Sequence, residues 1–499
     1  MKNGVKSIGD LRIPIIILAL LIIGLIAAYY FSTAEKSGSD PTETSQIIDV
    51  LSLSVDDVLF VSVEGIDDTN YRISRETNAT AEKRWSFEGL ADQYSEDCFS
   101  QELLENFILE ASYIASFKTI EANDAGLSEF GLADPTAEVT YGLASGENVH
   151  LQIGSKTVDG KSAYLRMGSE GLIYIVPVEK ADVFSSSAMN FFDRRVLDYS
   201  SRNIATFRFS RRSDDLDVMA RPEALVDSLG NSSRWRLTEP IDFQSGVIFD
   251  HLAASLLALE IDEYVTDSII QIEEYGLDSP EYTFTVIESD GSITSAYFSR
   301  EMSGKYYGYT DRLPGVFRIS SDRISGLDVS LIEYYFPFPV QAMIEEVKSI
   351  KAVFPDGEFL AEIDISDGMM IRDQEASVLV NRRSAKVTDS NGNAYFLLLF
   401  ASVMEIRFAE VSEEIMSADD ATISIQIVKK DNQITSIELS PAHDDLYALF
   451  LNGHYTGFLV SSDEIYSDNI AQPGVWYAYE LLNQALDGQI NGKYDVPVS

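Results

Sequence analysis

Apolar and polar residues alternate along most of the chain, which is the two-residue period of β-strands that bury one face. Residues 204–209 and 347–354 show this alternation, and other alternating stretches come in pairs separated by short turns. Such pairs predict antiparallel hairpins with one face in water. Between the hairpins, apolar residues recur at the spacing of one helix face. The pattern therefore predicts an α+β fold, with helices packed against one face of antiparallel sheets.

Three stretches have the helical spacing. Their apolar residues are Leu103, Leu104, Phe107, Ile108, Ala111, Ile114 and Ala115, then Ile248, Leu252, Leu256 and Leu259, and finally Phe396, Leu397, Phe400 and Met404. A Gly-Leu-x-x-Pro element follows the first two, where the proline stops a helix and the glycine suits a left-handed C-cap. These elements consist of Gly131, Leu132 and Pro135, and of Gly276, Leu277 and Pro280.

The same order of elements recurs along the chain, which is typical of a repeat protein. Stretches that begin at Tyr164, Tyr307 and Ala448 each read as a strand, a glycine turn, a second strand and a polar helix start. Upstream of them, Trp85 recurs as Trp235. We therefore predict three tandem units. They span residues 48–199, 200–337 and 338–493, and the third is divergent because it lacks both the tryptophan and the glycine-leucine element.

The N-terminal region predicts a membrane anchor. Residues 13–31 are a run of 19 residues without a charge, about 28 Å long as a helix, which matches the hydrocarbon core of a bilayer. Basic residues within 1–12 place that segment in the cytoplasm and the bulk of the chain outside. Residues 32–47 are rich in Ser, Thr and acids and predict a flexible stalk. A cleaved signal peptide is the alternative, but its apolar core normally has about 7–15 residues.

Charge and composition exclude several classes of protein. The 499 residues include 37 basic and 80 acidic ones, for a net charge of −43. Such a surface repels phosphate backbones, so we expect no nucleic-acid partner. A hydrophobic content of 45% excludes global disorder. The single cysteine, Cys98, cannot form an internal disulfide or a cysteine metal cluster.

Motifs for catalysis, nucleotide binding and metal binding are missing from the sequence. It contains no Walker A loop, no Gly-x-Gly-x-x-Gly loop and no Gly-x-Ser-x-Gly elbow. The histidines lack metal-site spacing; they are His150, His251, His443 and His454. Residues 389–393 begin like a calcium loop, but Ala394 and Phe400 replace the required glycine and glutamate. We therefore predict no catalytic residue, no cofactor, no metal site and no enzymatic activity.

Aromatic residues leave two interpretations open. Trp85 and Trp235 could stack on sugars, but their apolar neighbours favour a place in the core. Residues 334–338, with the sequence Tyr-Tyr-Phe-Pro-Phe, lie at the boundary between the second and third units. They predict packing between those units, and an exposed partner-binding patch is the alternative.

These motifs together resemble the bacterial domain-of-unknown-function 4340 family. The resemblance spans about residues 50–335. It is carried by Trp85, Gly131, Leu132, Pro135, Ile153, Gly154, Gly160, Tyr164 and Val176, and by Trp235, Gly276, Leu277, Pro280, Tyr307, Val316 and Ile319. Members look like membrane-anchored proteins that are often linked to ABC transporter components of the gliding-motility type. The motifs are turn and core positions, so the resemblance implies no catalytic residue.

The sequence therefore predicts a non-enzymatic, single-pass protein of the cell membrane with its bulk outside the cell. We expect it to be an accessory or scaffold subunit of an ABC-type transport or envelope complex. The expected partners are the membrane, through the N-terminal helix, and an ABC permease or related envelope protein. A cell-surface module that binds glycan or peptidoglycan is the alternative, and an envelope hydrolase that uses scattered carboxylates is a third hypothesis.

Overall fold

A computed structural model of the protein describes most of the extracytoplasmic part predicted above. The described residues are 47–66, 70–76, 84–89, 94–121, 124–168, 171–197, 199, 203–226, 232–270, 272–412, 414, 416–490 and 493–494. The predicted cytoplasmic segment 1–12, membrane helix 13–31 and all but the last residue of the stalk lie outside them. Among the described residues, no helix is both long and apolar enough to cross a membrane.

The described chain forms two compact units, of which the first lies within residues 1–90 and 105–186. Its strands are β1 (Ile48–Ser52), β2 (Val58–Gly65), β3 (Asn70–Arg75), β4 (Trp85–Gly89), β5 (Tyr113–Ser116), β6 (Lys118–Glu121), β7 (Ala137–Leu143), β8 (Asn148–Lys156), β9 (Ser162–Met167) and β10 (Leu172–Pro177). Eight of these strands form an antiparallel sheet in the order β4-β3-β2-β7-β8-β9-β10-β6, and β1 pairs with β5.

The second unit comprises the described residues within 91–104 and 187–499 and holds two larger antiparallel sheets. The strands of the second sheet are β11 (Ile204–Arg211), β12 (Leu216–Val226), β13 (Ser232–Glu239), β14 (Phe243–Gln244), β15 (Glu263–Thr266), β16 (Tyr282–Glu288), β17 (Ile293–Phe298), β18 (Lys305–Thr310) and β19 (Val316–Ser320). They are arranged in the order β14-β13-β12-β11-β16-β17-β18-β19-β15.

The third sheet has the order β23-β22-β21-β20-β26-β27-β28-β29-β25. Its strands, and those of a short separate pair of β24 with β30, are β20 (Val347–Phe354), β21 (Gly357–Asp364), β22 (Ser377–Val380), β23 (Arg383–Ser384), β24 (Val387–Thr388), β25 (Phe408–Val411), β26 (Ile423–Lys429), β27 (Ile434–Pro441), β28 (Leu446–Leu451), β29 (His454–Ser461) and β30 (Lys493–Tyr494).

The three large sheets share one strand order. Each has a central strand, which is β2, β11 or β20, with hairpin-connected strands on one side. On the other side of it, four consecutive strands form a meander, and an edge strand follows at its end. The described α-helices are α1 (Gln101–Ala111), α2 (Val178–Asp182), α3 (Val247–Leu257), α4 (Tyr395–Met404), α5 (Asp463–Tyr466) and α6 (Val475–Leu486). The fold is thus mostly antiparallel sheet with a few helices, in agreement with the α+β pattern.

The alternation of the sequence decides which face of each sheet is buried. In β20, Val347, Ile350, Ala352 and Phe354 are buried, while the residues between them are partly or fully exposed. Helix α4 packs against α6, and it buries five side chains: Phe396, Leu399, Phe400, Val403 and Met404. The expectation for Leu397 was wrong, because this residue is 46% exposed on the outer side of α4.

The first helical stripe was predicted too long. Helix α1 ends at Ala111, and Ile114 and Ala115 lie in β5, which pairs with β1. Leu51 lies opposite Ile114, a partner more than sixty positions away along the chain. Pairing with this distant strand satisfies backbone groups that a longer helix would otherwise bond locally, so the tertiary contact overrides the helical spacing.

An aromatic cluster joins the second and third sheets within the second unit. We call Phe243, Tyr335, Phe408 and Phe458 the aromatic junction. The rings of Phe408 and Phe458 stack with centroids 4.0 Å apart, and the ring of Phe243 meets both edge-on at 5.3 Å. Tyr335 meets Phe458 at 5.0 Å and is buried. Tyr335, from the segment 334–338, therefore contributes to the packing between the second and third sheets.

Backbone contacts fix the same junction. The Phe408 N–H donates to the carbonyl oxygen of Pro337 at 3.1 Å. Gly457 has a φ of +81°, and a Cβ added there would lie 2.7 Å from Cδ1 of Ile241. A residue with a side chain would be strained at this position and would push the two sheets apart. The junction therefore combines apolar burial with a close approach that only glycine allows.

Replacing Phe458 by alanine should lower the free energy of unfolding of the second unit by about 3–5 kcal/mol, because the ring is fully buried and leaves a cavity. Urea denaturation of the full chain, followed by tryptophan fluorescence, measures the loss. The matched control is Ile434→Ala on the same sheet, where the side chain is 53% exposed and the change should stay within about 0.5 kcal/mol. Equal losses in the two variants would contradict the role of the junction.

Candidate functional site

The two tryptophans of the repeat motif lie inside their sheets. Trp85 on β4 is fully buried, and Trp235 on β13 is 5% exposed. The Arg75 guanidinium lies over the Trp85 ring at 4.7 Å, and Phe207 packs on Trp235 at 5.6 Å. Neither ring is therefore available to stack on a sugar.

The glycine-leucine elements form turns at the ends of 3-10 helices. Gly131 and Gly276 have φ values of +68° and +67°, and they follow the 3-10 helices Asp124–Phe130 and Ile272–Tyr275. The expectation that they cap the amphipathic helices was wrong, because α1 and α3 end much earlier. Each glycine-leucine element forms a turn and contributes one residue to the core, because Leu132 and Leu277 are both buried. Its proline, Pro135 or Pro280, lies shortly before β7 or β16.

Each of the residues considered for chemistry has a structural environment of its own. The His150 ring bonds Thr140 at 3.0 Å between neighbouring strands. Asp389 accepts N–H groups of Asn391 and Asn393, which makes the former calcium candidate a turn that leads into α4. Burial raises the pKa of the Cys98 thiol, so it is a poor nucleophile at neutral pH. Among the described residues, no group of three or more His, Cys, Asp or Glu is placed to hold a metal ion.

Described residues of the second unit line a concave cleft. Its volume is about 800 Å³, within the range of small-molecule sites. It forms where β17 and β18 face the loop after β15 and the turn between β18 and β19. The lining residues are Tyr94, Asp267, Ser268, Ile269, Tyr297, Tyr309, Thr310, Asp311, Leu313, Pro314 and Gly315. The sequence motifs did not identify this site.

Two tyrosines form an aromatic platform in the cleft. Tyr297 on β17 and Tyr309 on β18 lie directly opposite each other in the sheet register. Their rings stack with centroids 4.7 Å apart and planes 17° apart, and both side chains are half-buried. Burial, together with the neighbouring Tyr297, raises the pKa of Tyr309, so its hydroxyl stays protonated at neutral pH. The platform therefore offers an apolar surface with a polar edge.

Tyr94 and two carboxylates complete the polar lining. The Tyr94 hydroxyl donates to Oδ2 of Asp267 at 2.7 Å, and its ring meets Phe192 edge-on at 5.0 Å. Asp311 accepts the Ser295 N–H at 2.9 Å. In the described part of the chain, no Lys or Arg forms a salt bridge with either carboxylate. The cleft therefore carries two negative charges beside its aromatic rings.

An ion-pair network around the buried Asp193 carboxylate anchors the turn that forms one wall of the cleft. We use this name for Asp193, Arg195 and Arg312. Nη2 of Arg312 lies 3.2 Å from Oδ2 of Asp193 and 2.9 Å from the carbonyl oxygen of Arg195. Nη1 of Arg312 donates to the Asp97 carbonyl at 3.3 Å. These bonds hold residue 312, and so its neighbours Asp311 and Leu313, in one place.

Gly315 fixes the far end of the same turn. Its φ is +76°, and a Cβ there would lie 1.9 Å from the carbonyl oxygen of Thr266. Only glycine permits this approach between the turn and the end of β15. The same Cβ would lie 2.7 Å from Cα of Asp267, so the turn packs directly against the backbone that carries this carboxylate.

Asp193 remains charged although it is only 7% exposed. Burial alone would raise the pKa of Asp193, but the hydrogen bonds from Arg195 and the charges of Arg312 and Arg195 outweigh it. The pKa of this carboxyl is therefore held below its usual range. The folded state binds this proton less tightly than the unfolded chain, so the ionised carboxylate stabilises the fold.

Asp193→Asn should lower the free energy of unfolding by about 3 kcal/mol at neutral pH, because it removes the anion that pairs with the largely buried Arg312 guanidinium. Because the folded pKa is depressed, this difference should be complete above about pH 4 and should shrink as the pH falls through the folded pKa below that value. Urea denaturation at pH 7, 5, 4 and 3 measures it. The control Asp322→Asn removes an exposed carboxylate of the same unit. A difference that stayed constant down to pH 3 would contradict the charged network.

Comparisons with known proteins bear on one stretch of the chain. The searches of curated proteins and of solved structures found no match to the chain. Residues 101–231 match a family model, which confirms the resemblance for the part of the chain that holds Gly131, Leu132 and Pro135. This segment runs from the start of α1 to the end of β12 and beyond. Residues 101–231 thus match the family described as Domain of unknown function (DUF4340).

Proposed function

We propose that the protein is a membrane-anchored extracytoplasmic scaffold, an accessory subunit of an ABC-type transport or envelope complex. The observation that carries the proposal is the strand order shared by the three large sheets. We assign each sheet and its helices to one tandem unit, over residues 48–199, 200–337 and 338–493. Arrays of repeated units suit binding, because they present several related surfaces to a partner.

The contacts within the second unit support a scaffold role. The aromatic junction buries Phe408 and Phe458 between the second and third sheets, and Gly457 brings their backbones close together. Surfaces held in place before binding lose little conformational entropy when a partner docks. A scaffold of this kind would position its partner rather than adapt to it.

The anchor in this proposal rests on the sequence. Residues 13–31 have the length and polarity of a membrane helix, and the basic residues before them set its direction. The net charge of −43 would repel an anionic membrane surface and keep the folded part away from it. We therefore expect the partner to be an envelope protein rather than the lipid itself.

Crosslinking in the native cell, mild-detergent extraction and mass spectrometry should recover an ABC permease and its ATPase with the protein. Ile22→Arg places a charge at the centre of the anchor and should remove the chain from alkali-washed membranes, and with it the captured permease. Ser39→Arg adds the same charge in the stalk and should keep both. Recovery of the parent chain only as a monomer, at every crosslinker length, would make the scaffold proposal wrong.

A second candidate function, binding of a cell-wall glycan or peptidoglycan, is supported by the cleft. The stacked rings of Tyr297 and Tyr309 offer an apolar face beside hydroxyl and carboxylate groups. Such a mixture of aromatic surface and convergent polar groups is typical of small-ligand sites. This function is compatible with the scaffold, since one sheet could bind the wall while another holds the transporter.

Purified cell wall should retain the parent chain in a pull-down, and Tyr297→Ala with Tyr309→Ala should reduce retention at least fivefold. The matched control is Tyr275→Ala with Tyr307→Ala. These two tyrosines belong to the same unit and lie outside the cleft lining, and their ring centroids are 5.2 Å apart. This control should bind like the parent, and circular dichroism checks that both variants fold. If the wall does not retain the parent chain, the second candidate function is wrong.

A further inference from the structure

We propose that the tyrosine-lined cleft binds an organic ammonium group. The inference rests on the second candidate function, a ligand-binding role for this cleft, and it specifies the charge of the ligand. Three tyrosines and two carboxylates line the same space of about 800 Å³. The tyrosines come from three separate segments of the chain, and each segment is held by contacts of its own.

The aromatic rings favour a cation. The face of an aromatic ring carries partial negative charge, and it attracts an ammonium group that lies within about 6 Å. Tyr297 and Tyr309 stack on each other, and Tyr94, which forms a T-shaped pair with Phe192, lines the same cleft. Rings gathered from several segments around one space are a known way to bind alkylated ammonium groups.

The carboxylates favour a cation over a neutral sugar. Asp267 and Asp311 have no salt bridge to a Lys or Arg among the described residues, so the cleft is anionic when empty. A neutral ligand would shield both carboxylates from water without compensating their charge, which costs free energy. An ammonium group would compensate it. The net charge of −43 adds a long-range attraction for any cation.

The apolar lining favours an organic cation over a metal ion. Ile269, Leu313 and Pro314 stand beside the carboxylates. Divalent metal ions prefer several oxygen ligands around one point. In the part of the chain that the structure describes, no three acidic or histidine side chains form such a group. An ammonium group with methyl or alkyl substituents can contact both the apolar and the charged parts of this lining.

The cleft is ordered before any ligand arrives. Tyr94 fixes Asp267, the Ser295 N–H fixes Asp311, and the ion-pair network fixes the turn that carries Asp311. Side chains that are already in place lose little rotamer entropy on binding. The geometry therefore favours binding over a merely electrostatic association with cations.

The aromatic platform is confined to one of the three sheets. The cross-strand pair Tyr297–Tyr309 lies in the second and third strands of its meander. The corresponding pairs are Gln152–Arg166 in the first sheet and Glu438–Phe450 in the third. The shared strand order therefore does not require tyrosines at these positions. Their presence in the second sheet alone points to a local role such as ligand binding.

The test titrates the purified full chain in mild detergent with four probes by calorimetry. Choline and ethanolamine carry an ammonium group, 3,3-dimethylbutan-1-ol is the uncharged isostere of choline, and N-acetylglucosamine is a neutral sugar. We expect one or both ammonium probes to bind at least tenfold more tightly than the isostere. Asp267→Asn with Asp311→Asn keeps the oxygens that accept hydrogen bonds from Tyr94 and Ser295, and it should weaken this binding at least tenfold.

The matched control is Glu362→Gln with Asp364→Asn, which removes two exposed charges from β21 and should bind like the parent. Equal affinity for choline and its isostere, or unchanged affinity in the cleft variant, would overturn the proposal. Binding of the neutral sugar alone would overturn it and leave the second candidate function standing. If none of the four probes binds, the ammonium proposal is wrong. If, in addition, replacing Tyr297 and Tyr309 does not change retention by the cell wall, the second candidate function is wrong as well. If ammonium binding is found, acetylating the wall amines separates a wall-borne source from a free solute.

Discussion

The second unit depends on a carboxylate that stays charged almost out of contact with water. Asp193 is stable in this state because Arg195 and Arg312 both donate to it. The same Arg312 guanidinium also bonds the carbonyl oxygens of Asp97 and Arg195, so one ion pair ties three segments of the chain together. The turn that carries Asp311 and Leu313 takes its position from this arrangement, and with it one wall of the cleft.

The second sheet is secured in two chemically different ways. On one side, charged groups satisfy each other, and their directional hydrogen bonds set a single geometry. On the other side, the aromatic junction buries rings that need no polar partner and that tolerate small shifts. The directional contact lies beside the cleft, where positions within a fraction of an ångström matter for binding. The aromatic junction, which is less directional, lies between the second and third sheets, where packing does not require such precise positions.

The shared strand order is compatible with the proposed combination of a scaffold and a binding site in one chain. The strand order constrains the buried face of each sheet, where Val, Ile, Leu and Phe recur. It does not fix the residues at every cross-strand pair, so one such pair is Gln–Arg, Tyr–Tyr or Glu–Phe in the three sheets. A binding site can thus arise on one sheet without disturbing the fold of the others.

The amino-acid sequence by itself determined the local elements: strands from alternation, helices from three- and four-residue spacing, turns from glycine, and the family match around Gly131. These signals depend on residues a few positions apart, so they can be recognised in the sequence without knowledge of the tertiary structure. Only the tertiary structure decided the rest. Ile114 is in a strand because Leu51 pairs with it, and Asp193 is charged because Arg312 reaches it. The cleft unites Tyr94 with Asp267 and Tyr309, because long-range contacts such as the Tyr94–Asp267 hydrogen bond bring together residues that are distant in sequence.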